Sequence, residues 1–161
     1  MKRVLLSFAM VLILLTGLVG TASAAKPISS SGSFTADIDF GKIELTPVGA
    51  NCQLVVPGVV EFTGTLEGTG TAVTTALVFA SCDEVLDADP GTYRDVFSSD
   101  IQFSGTLDGI PVTAEIRYHG TAAPGGAINA VMNFSGDLRG SVKVDGQLAV
   151  GGDYSGKIVL K

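Results

Sequence analysis

A seven-residue pattern, Phe-x-Gly-x-Leu-x-Gly, occurs three times in the chain, at residues 62–68, 103–109 and 134–140. Because side chains alternate across a β-strand, the Phe, Gly and Leu of each copy lie on one face, and the polar residues between them lie on the other. A glycine between two large apolar residues weakens an ordinary strand, but it suits a strongly coiled strand that receives a neighbour's aromatic ring in the gap. The repeat therefore predicts barrel strands with one apolar face and one polar face.

Alternation of apolar and polar residues continues along most of the chain after residue 32, and no ten-residue stretch there has a convincing helical period. Short segments separated by turn signals predict a single antiparallel β-barrel of about eight strands over residues 33–161. A two-sheet β-sandwich is the alternative, because the same alternation serves both architectures. The interior is expected to hold the large apolar residues of the three repeats: Phe62, Leu66, Phe103, Leu107, Phe134 and Leu138.

Glycine and proline mark the predicted turns. Pro57-Gly58 is expected to separate two strands, residues 67–70 to form a hairpin tip, and Asp108-Gly109 to form a tight turn. Residues 71–81 form the longest predicted strand. Small residues on one of its faces indicate that the strand is covered on both sides, or that a partner surface packs there.

The first 24 residues have the pattern of a secretory signal peptide. Lys2-Arg3 is the charged start, residues 4–19 are apolar, and Ala22-Ser23-Ala24 is a small-residue cleavage site. The interrupted apolar run is short for a membrane span, which needs about 20 residues, so we expect no stable membrane insertion after cleavage near Ala24. The mature protein is then expected to be secreted or periplasmic. Residues 25–32 are Ser-rich and lack periodicity, which predicts a flexible N-terminal tail.

Cleavage changes the charge balance. Removal of residues 1–24 takes away Lys2 and Arg3 and leaves 8 basic residues against 16 acidic ones, a formal net charge of −8 over 137 residues. Nucleic acid and anionic membrane surfaces are not expected as partners, because both need basic patches that displace counterions. The acidity favours solubility of a glycine-rich, apolar-rich chain. The sequence does not specify the oligomeric state.

Cys52 and Cys82 are the two cysteines of the chain. In an oxidising compartment such a pair predicts a disulfide. The bond would close a loop of about 30 residues, which the chain-entropy model makes worth roughly 3 to 4 kcal/mol. The alternative is a pair of free buried thiols in a reducing host.

One predicted strand face carries Glu115, Arg117 and His119 at alternate positions. A carboxylate and an imidazole could transfer protons if they faced a lumen. The opposite face of the same strand is apolar and is the natural core face, so the three side chains are expected in solvent. No catalytic residue is assigned.

Residues 82–95 lack alternation and form the longest predicted loop. Within it, Asp87-x-Asp89 and Gly91 resemble the start of a calcium loop, but the third carboxylate and the closing Glu are missing, so no metal site is predicted. The chain also has no phosphate-binding glycine loop before a helix, no CxxC pair and no HExxH motif, so no cofactor is expected. We expect this segment and residues 120–126 to govern access to the lumen, since loops at a rim commonly carry binding residues.

The C-terminal half of the chain, from residues 103–109 through 134–140 to the closing strand at 152–160, resembles the small barrels of the allene oxide cyclase and dirigent superfamily. The resemblance implies an eight-stranded antiparallel barrel with an apolar cavity. It covers about half of the mature chain and is carried by the Phe-x-Gly-x-Leu-x-Gly motif and the late Gly-rich hairpins. No catalytic residue of the family matches a position here, so the resemblance implies no activity.

Three classes of function remain open. A closed barrel with an apolar inner face predicts a binding site for a small apolar ligand, lined by the six large residues of the repeats. An isomerase or cyclase similar to allene oxide cyclase would need a polar group in the lumen, and the face assignment places none there. A structural or surface-interaction protein would need only an acidic exterior and a rigid, disulfide-tied body. The preferred expectation is an exported, non-enzymatic binding barrel.

Overall fold

The computed structural model describes residues 26–161, so the predicted signal peptide lies outside the described residues. Within these residues, a 3₁₀ turn at Phe40–Lys42 and a short helix, α1 (Cys82–Leu86), interrupt an otherwise all-β structure. Over the described range, no helix is both long and apolar enough to cross a membrane. The strands are, in chain order, β1 (Ile28–Ile38), β2 (Glu44–Val48), β3 (Asn51–Gly64), β4 (Leu66–Val78), β5 (Asp95–Leu107), β6 (Ile110–Ala122), β7 (Ala127–Gly136), β8 (Leu138–Gln147) and β9 (Gly151–Leu160).

Eight of the nine strands of the described chain close into an antiparallel barrel. Consecutive strands from β3 to β9 pair with one another, and β1 closes the ring because it pairs with both β9 and β3. β2 lies outside the ring and pairs with residues 51–55 at the start of β3. Closure of the sheet confirms the predicted barrel of about eight strands and excludes the two-sheet sandwich.

β1 begins earlier than the sequence predicts. Its pairing with β9 starts at Ile28, opposite Ile158, and Ser30 is only 2 % exposed. The prediction of a flexible tail over residues 25–32 is therefore wrong from Ile28 onward, and the barrel does not start at Ser33. The sequence does not predict this part of β1, because Ser30 places a small polar side chain on the inner face and breaks the apolar alternation.

The first and third repeats turn a corner between strands. In the first, Phe62 pairs with Gly68 across a hairpin that contains Gly64 at a φ of 102°. The third repeat, residues 134–140, has the same arrangement around Gly136, whose φ is 90°. A left-handed backbone of this kind favours glycine, so the central glycine of these two repeats permits the turn between the strands.

The second repeat instead completes β5 and enters the predicted tight turn. Asp108-Gly109 has φ angles of 49° and 80°, as a two-residue type I′ turn requires. Residues 67–70 lie within β4 and Pro57-Gly58 lies within β3, so the turns predicted there are wrong. The glycines of β4 permit close strand packing: a Cβ on Gly68 would lie 2.6 Å from the Cα of Gly105 on β5.

The repeats fill one end of the barrel, which we call the packed end. The Tyr154 hydroxyl accepts a hydrogen bond of 2.9 Å from the Leu66 N–H and donates one of 3.1 Å to the Thr63 carbonyl oxygen. This hydroxyl also lies over Gly32, where a Cβ would come within 2.5 Å of it, so an aromatic side chain occupies a glycine gap. The six large repeat residues are at most 6 % exposed, which confirms that they face the interior: Phe62, Leu66, Phe103, Leu107, Phe134 and Leu138.

Candidate ligand cavity

The opposite end of the barrel, which we call the open end, contains a cavity of about 320 Å³. Inner positions of β4 at this end carry the small side chains of Ala72 and Ala76, which line the cavity. The packed end carries Phe and Leu at its inner positions, whereas the smaller side chains at the open end leave the space that forms the cavity. The other face of β4 is 53 % exposed at Val73, and Phe79 just beyond the strand is 47 % exposed, so the described chain does not cover this strand on both sides.

Aromatic rings form the floor between the cavity and the packed end. Phe34, Phe97 and Tyr118 line the cavity. The Tyr118 ring meets Phe97 edge to face at a centroid distance of 4.9 Å and meets Phe34 at 5.8 Å. Phe34 in turn lies 5.8 Å from Phe62 of the packed end. The cluster is continuous, so the floor is held by the same aromatic packing that closes the barrel.

Polar side chains interrupt the apolar lining, among them Thr74, Ser99, Asp95 and Tyr118. The Thr74 hydroxyl donates a hydrogen bond of 3.0 Å to the Ser99 hydroxyl, so these two satisfy each other. Asp95 is 6 % exposed and Tyr118 is 9 % exposed. Within residues 26–161, neither Asp95 Oδ1 nor the Tyr118 hydroxyl oxygen has a hydrogen-bond partner. Buried polar atoms without a partner are uncommon, which makes these two the candidates for contact with a ligand.

Burial changes the titration of both groups. The apolar surroundings raise the pKa of Asp95 to about 6, because they disfavour the carboxylate, and the backbone N–H of Ala122 opposes this shift. Burial also raises the pKa of Tyr118, so its hydroxyl stays protonated at physiological pH. At neutral pH the cavity therefore combines one buried negative charge with one neutral phenol.

The cavity lining is acidic and not basic. Asp95 is buried, whereas Asp37 and Asp89, which also belong to the lining, are exposed. Of the side chains that the structure describes, no Lys, Arg or His lines the cavity. The charged side chains of the described lining are therefore all acidic.

A short helix begins the rim segment that the sequence predicts to be a loop over residues 82–95. Ser81 caps α1: its Oγ accepts a hydrogen bond of 3.3 Å from the Glu84 N–H, and the Glu84 carboxylate accepts one of 2.8 Å from the Ser81 N–H. The Ser-x-x-Glu spacing of this capping box is the signal in the sequence for the helix. Val85 and Leu86 of α1 line the cavity.

The predicted disulfide between Cys52 and Cys82 is present, with 4.8 Å between the two Cα atoms. It links the start of α1 to β3. Because α1 lines the cavity, the bond fixes one side of the cavity mouth to the barrel wall.

The second rim segment is the turn at residues 123–126, which is shorter than the predicted loop because β6 extends to Ala122. The Gly125 N–H donates a hydrogen bond of 2.9 Å to the Gly91 carbonyl oxygen, and the Leu148 N–H donates one of 2.8 Å to the Gly126 carbonyl oxygen. The two predicted rim segments therefore lie together at the open end.

The residues singled out in the sequence lie away from the cavity. The six large repeat residues are in the packed end, and none of them lines the cavity. Glu115, Arg117 and His119 are exposed on the outer wall of β6, as expected, and Arg117 Nε forms an ion pair of 3.1 Å with Asp100.

Asp95 is the cavity residue that sequence reasoning misses. The sequence pattern assigns it to the acidic loop, whereas the structure places it as the first residue of β5, with its side chain inside the barrel. A signal is present, because Asp95, Phe97, Ser99 and Ile101 alternate with exposed positions along one strand. The expectation that no polar group enters the lumen is therefore wrong.

No family model matches the chain, and neither a curated protein nor a solved structure shows significant similarity to it.

Proposed function

We propose that this protein is an exported barrel that binds one small apolar ligand in its open end. The observation that carries the proposal is a mainly apolar cavity that contains two buried polar atoms without a partner in the described chain. Small-molecule sites typically combine a mainly apolar concave lining with a few placed polar groups, at volumes of roughly 300 to 1,000 Å³. A volume of about 320 Å³ is at the small end of this range.

Export is the second element of the proposal. It is supported by the signal-peptide pattern of residues 1–24 and by the Cys52–Cys82 disulfide, since disulfides persist mainly in oxidising compartments. Mass spectrometry of the protein secreted by an expression host would test it. A mature N-terminus near Ala25 is expected, and retention of Met1 in secreted material would contradict it.

Binding is tested with a neutral environment-sensitive dye, N-phenylnaphthylamine, by fluorescence titration. We expect saturable binding with one site per barrel. Ala76→Phe places a large side chain in the cavity and is expected to weaken dye binding at least tenfold. Asp100→Phe, on the outer wall of β5, is the matched control for added apolar surface and should leave dye binding unchanged. Absence of saturable binding by the intact barrel would favour a structural or surface-interaction role.

A second candidate function is an isomerase that moves a proton on a bound ligand. Asp95 supports it, because a buried carboxyl group with a pKa of about 6 is suited to act as a general base near neutral pH. A ligand found by the binding experiments would be incubated with the protein and recovered for chromatography. Recovery of the unchanged ligand after many equivalents of incubation would argue against catalysis and for binding alone.

A further inference from the structure

We propose that the ligand is a lipophilic amine whose protonated head binds Asp95 and Tyr118 while its hydrocarbon part fills the apolar cavity, an inference that rests on the proposed function.

The first argument is the hydrogen-bonding requirement of the two buried groups. Asp95 Oδ1 has no partner in the described chain, and a carboxylate can only accept hydrogen bonds. The Tyr118 hydroxyl has no partner there either, and its oxygen can accept as well as donate. An ammonium group carries three donors, so it can donate to a carboxylate oxygen and to further acceptors. Leaving them without partners costs free energy, which the bound head group would recover.

The second argument is the sign of the charge. The described lining contains Asp37, Asp89 and Asp95 and no basic side chain, so the carboxylate of a fatty acid would be repelled and would lack a counterion. A neutral alcohol could also donate to the Asp95 carboxylate, but only an ammonium group brings the opposite charge that a buried carboxylate lacks. Asp37 and Asp89 are not buried, and they would raise the local concentration of a cation at the mouth.

The third argument is the placement of Asp95. It pairs in register with Val78 on β4 and with Ala122 on β6, and the next inward side chain of its own strand is Phe97. These neighbours are apolar, so none of them supplies a cation for the carboxylate. The ordinary solution for a buried charge is an opposite charge, which a bound amine would supply.

The test uses three ligands with the same ten-carbon chain and different heads: decylamine, decanol and decanoate. Affinities are measured near neutral pH, below the micelle concentrations, by displacement of N-phenylnaphthylamine. We expect decylamine to bind at least tenfold more tightly than decanol, and decanoate to bind most weakly.

Two variants connect the preference to the proposed contacts. Asp95→Asn keeps the shape and removes the charge, so decylamine affinity should fall at least tenfold while decanol affinity changes less than threefold. Tyr118→Phe should weaken decylamine by roughly threefold to tenfold. Asp100→Asn is the matched control, since it removes a carboxylate from the exposed face of the same strand. It should leave all three affinities unchanged. Circular dichroism and thermal melts establish that each variant is folded.

The outcomes separate this inference from the proposed function. Equal binding of decylamine and decanol, or decylamine binding that Asp95→Asn does not weaken, would overturn the amine assignment and leave the apolar binding site intact. Tighter binding of decanoate would overturn it as well. If none of the three ligands and no dye binds, the proposed function itself fails.

Discussion

The backbone N–H of Gly125 donates a hydrogen bond of 2.9 Å to the carbonyl oxygen of Gly91, and this bond joins the two rim segments of the open end. The first segment, residues 82–94, is also fixed at its start by the disulfide between Cys52 and Cys82. It is closed at its base, where the Phe79 N–H donates a hydrogen bond of 3.0 Å to the Arg94 carbonyl oxygen. The segment is therefore attached at three points, and its attachments are separate from the packed end.

This arrangement predicts that residues 83–93 control ligand release more than stability. Replacing them with a short Gly-Ser linker is sterically feasible, because Phe79 and Arg94 already meet. We expect the melting temperature to stay nearly unchanged and dye dissociation to become faster, because Val85 and Leu86 no longer cover the cavity. Stopped-flow dilution of the dye complex measures the rate.

The control for the rim replacement is insertion of the same linker into the Asp108-Gly109 turn, which belongs to a connection outside the cavity lining. That insertion should leave the dissociation rate unchanged. A rim variant that remains folded and releases dye at the rate of the intact protein would remove residues 83–93 from the binding argument.

The Cys52–Cys82 disulfide is predicted to stabilise the folded protein by roughly 3 to 4 kcal/mol, because it restricts a loop of about 30 residues in the unfolded chain. Replacing both cysteines with alanine should lower the free energy of unfolding by this amount, as measured by urea denaturation. Thiol titration of the unfolded, unreduced protein should find no free sulfhydryl. Two titratable thiols in material from an oxidising compartment would contradict the assignment.

The two ends of the barrel should respond differently to the same added volume. Ala76 lines the cavity, so Ala76→Phe has space and should change the free energy of unfolding by less than about 1 kcal/mol. Ala114 is also 5 % exposed but does not line the cavity and pairs with Phe103, so Ala114→Phe should cost about 1 to 3 kcal/mol or prevent folding. Urea denaturation of both variants measures the difference. Equal destabilisation would mean that the open end is as well packed as the other.

The sequence is sufficient to predict the barrel, because alternation places residues such as Phe62 and Leu66 inside whichever strands they pair with. It is less informative about turns. The sequence around Gly68 predicts a hairpin tip, but in the structure Gly68 lies within β4 and allows close approach to Gly105 on β5. A glycine has the same sequence signal in both roles. The cavity is not predictable for a related reason. The cavity forms where small side chains of different strands lie at the same height along the barrel axis. Which residues do so depends on the strand register.

Asp95 gives the prediction that links stability to the proposed site. Its pKa is about 6 in the folded protein, whereas the ordinary value of an aspartate is 3.8. Between about pH 4 and pH 6 the folded state therefore holds a proton that the unfolded state has released. The contribution of Asp95 to stability is most favourable below about pH 4, falls as the pH rises through this window, and stays low above about pH 6.

Asp95→Asn should consequently be more stable than the original protein at pH 7, by about 1 to 3 kcal/mol, and the difference should shrink towards pH 4. The measurement is urea denaturation of both proteins from about pH 4 to pH 7, with the free energies of unfolding subtracted at each pH. Subtraction cancels the contributions of exposed carboxylates such as Asp39, Glu84 and Asp137, whose pKa values are lowered by hydrogen bonds. Asp100→Asn should show no such pH-dependent gain. A pH-independent difference for Asp95→Asn would mean that the carboxylate is well solvated or paired. The proposal that Asp95 binds a cationic ligand would then lose its support.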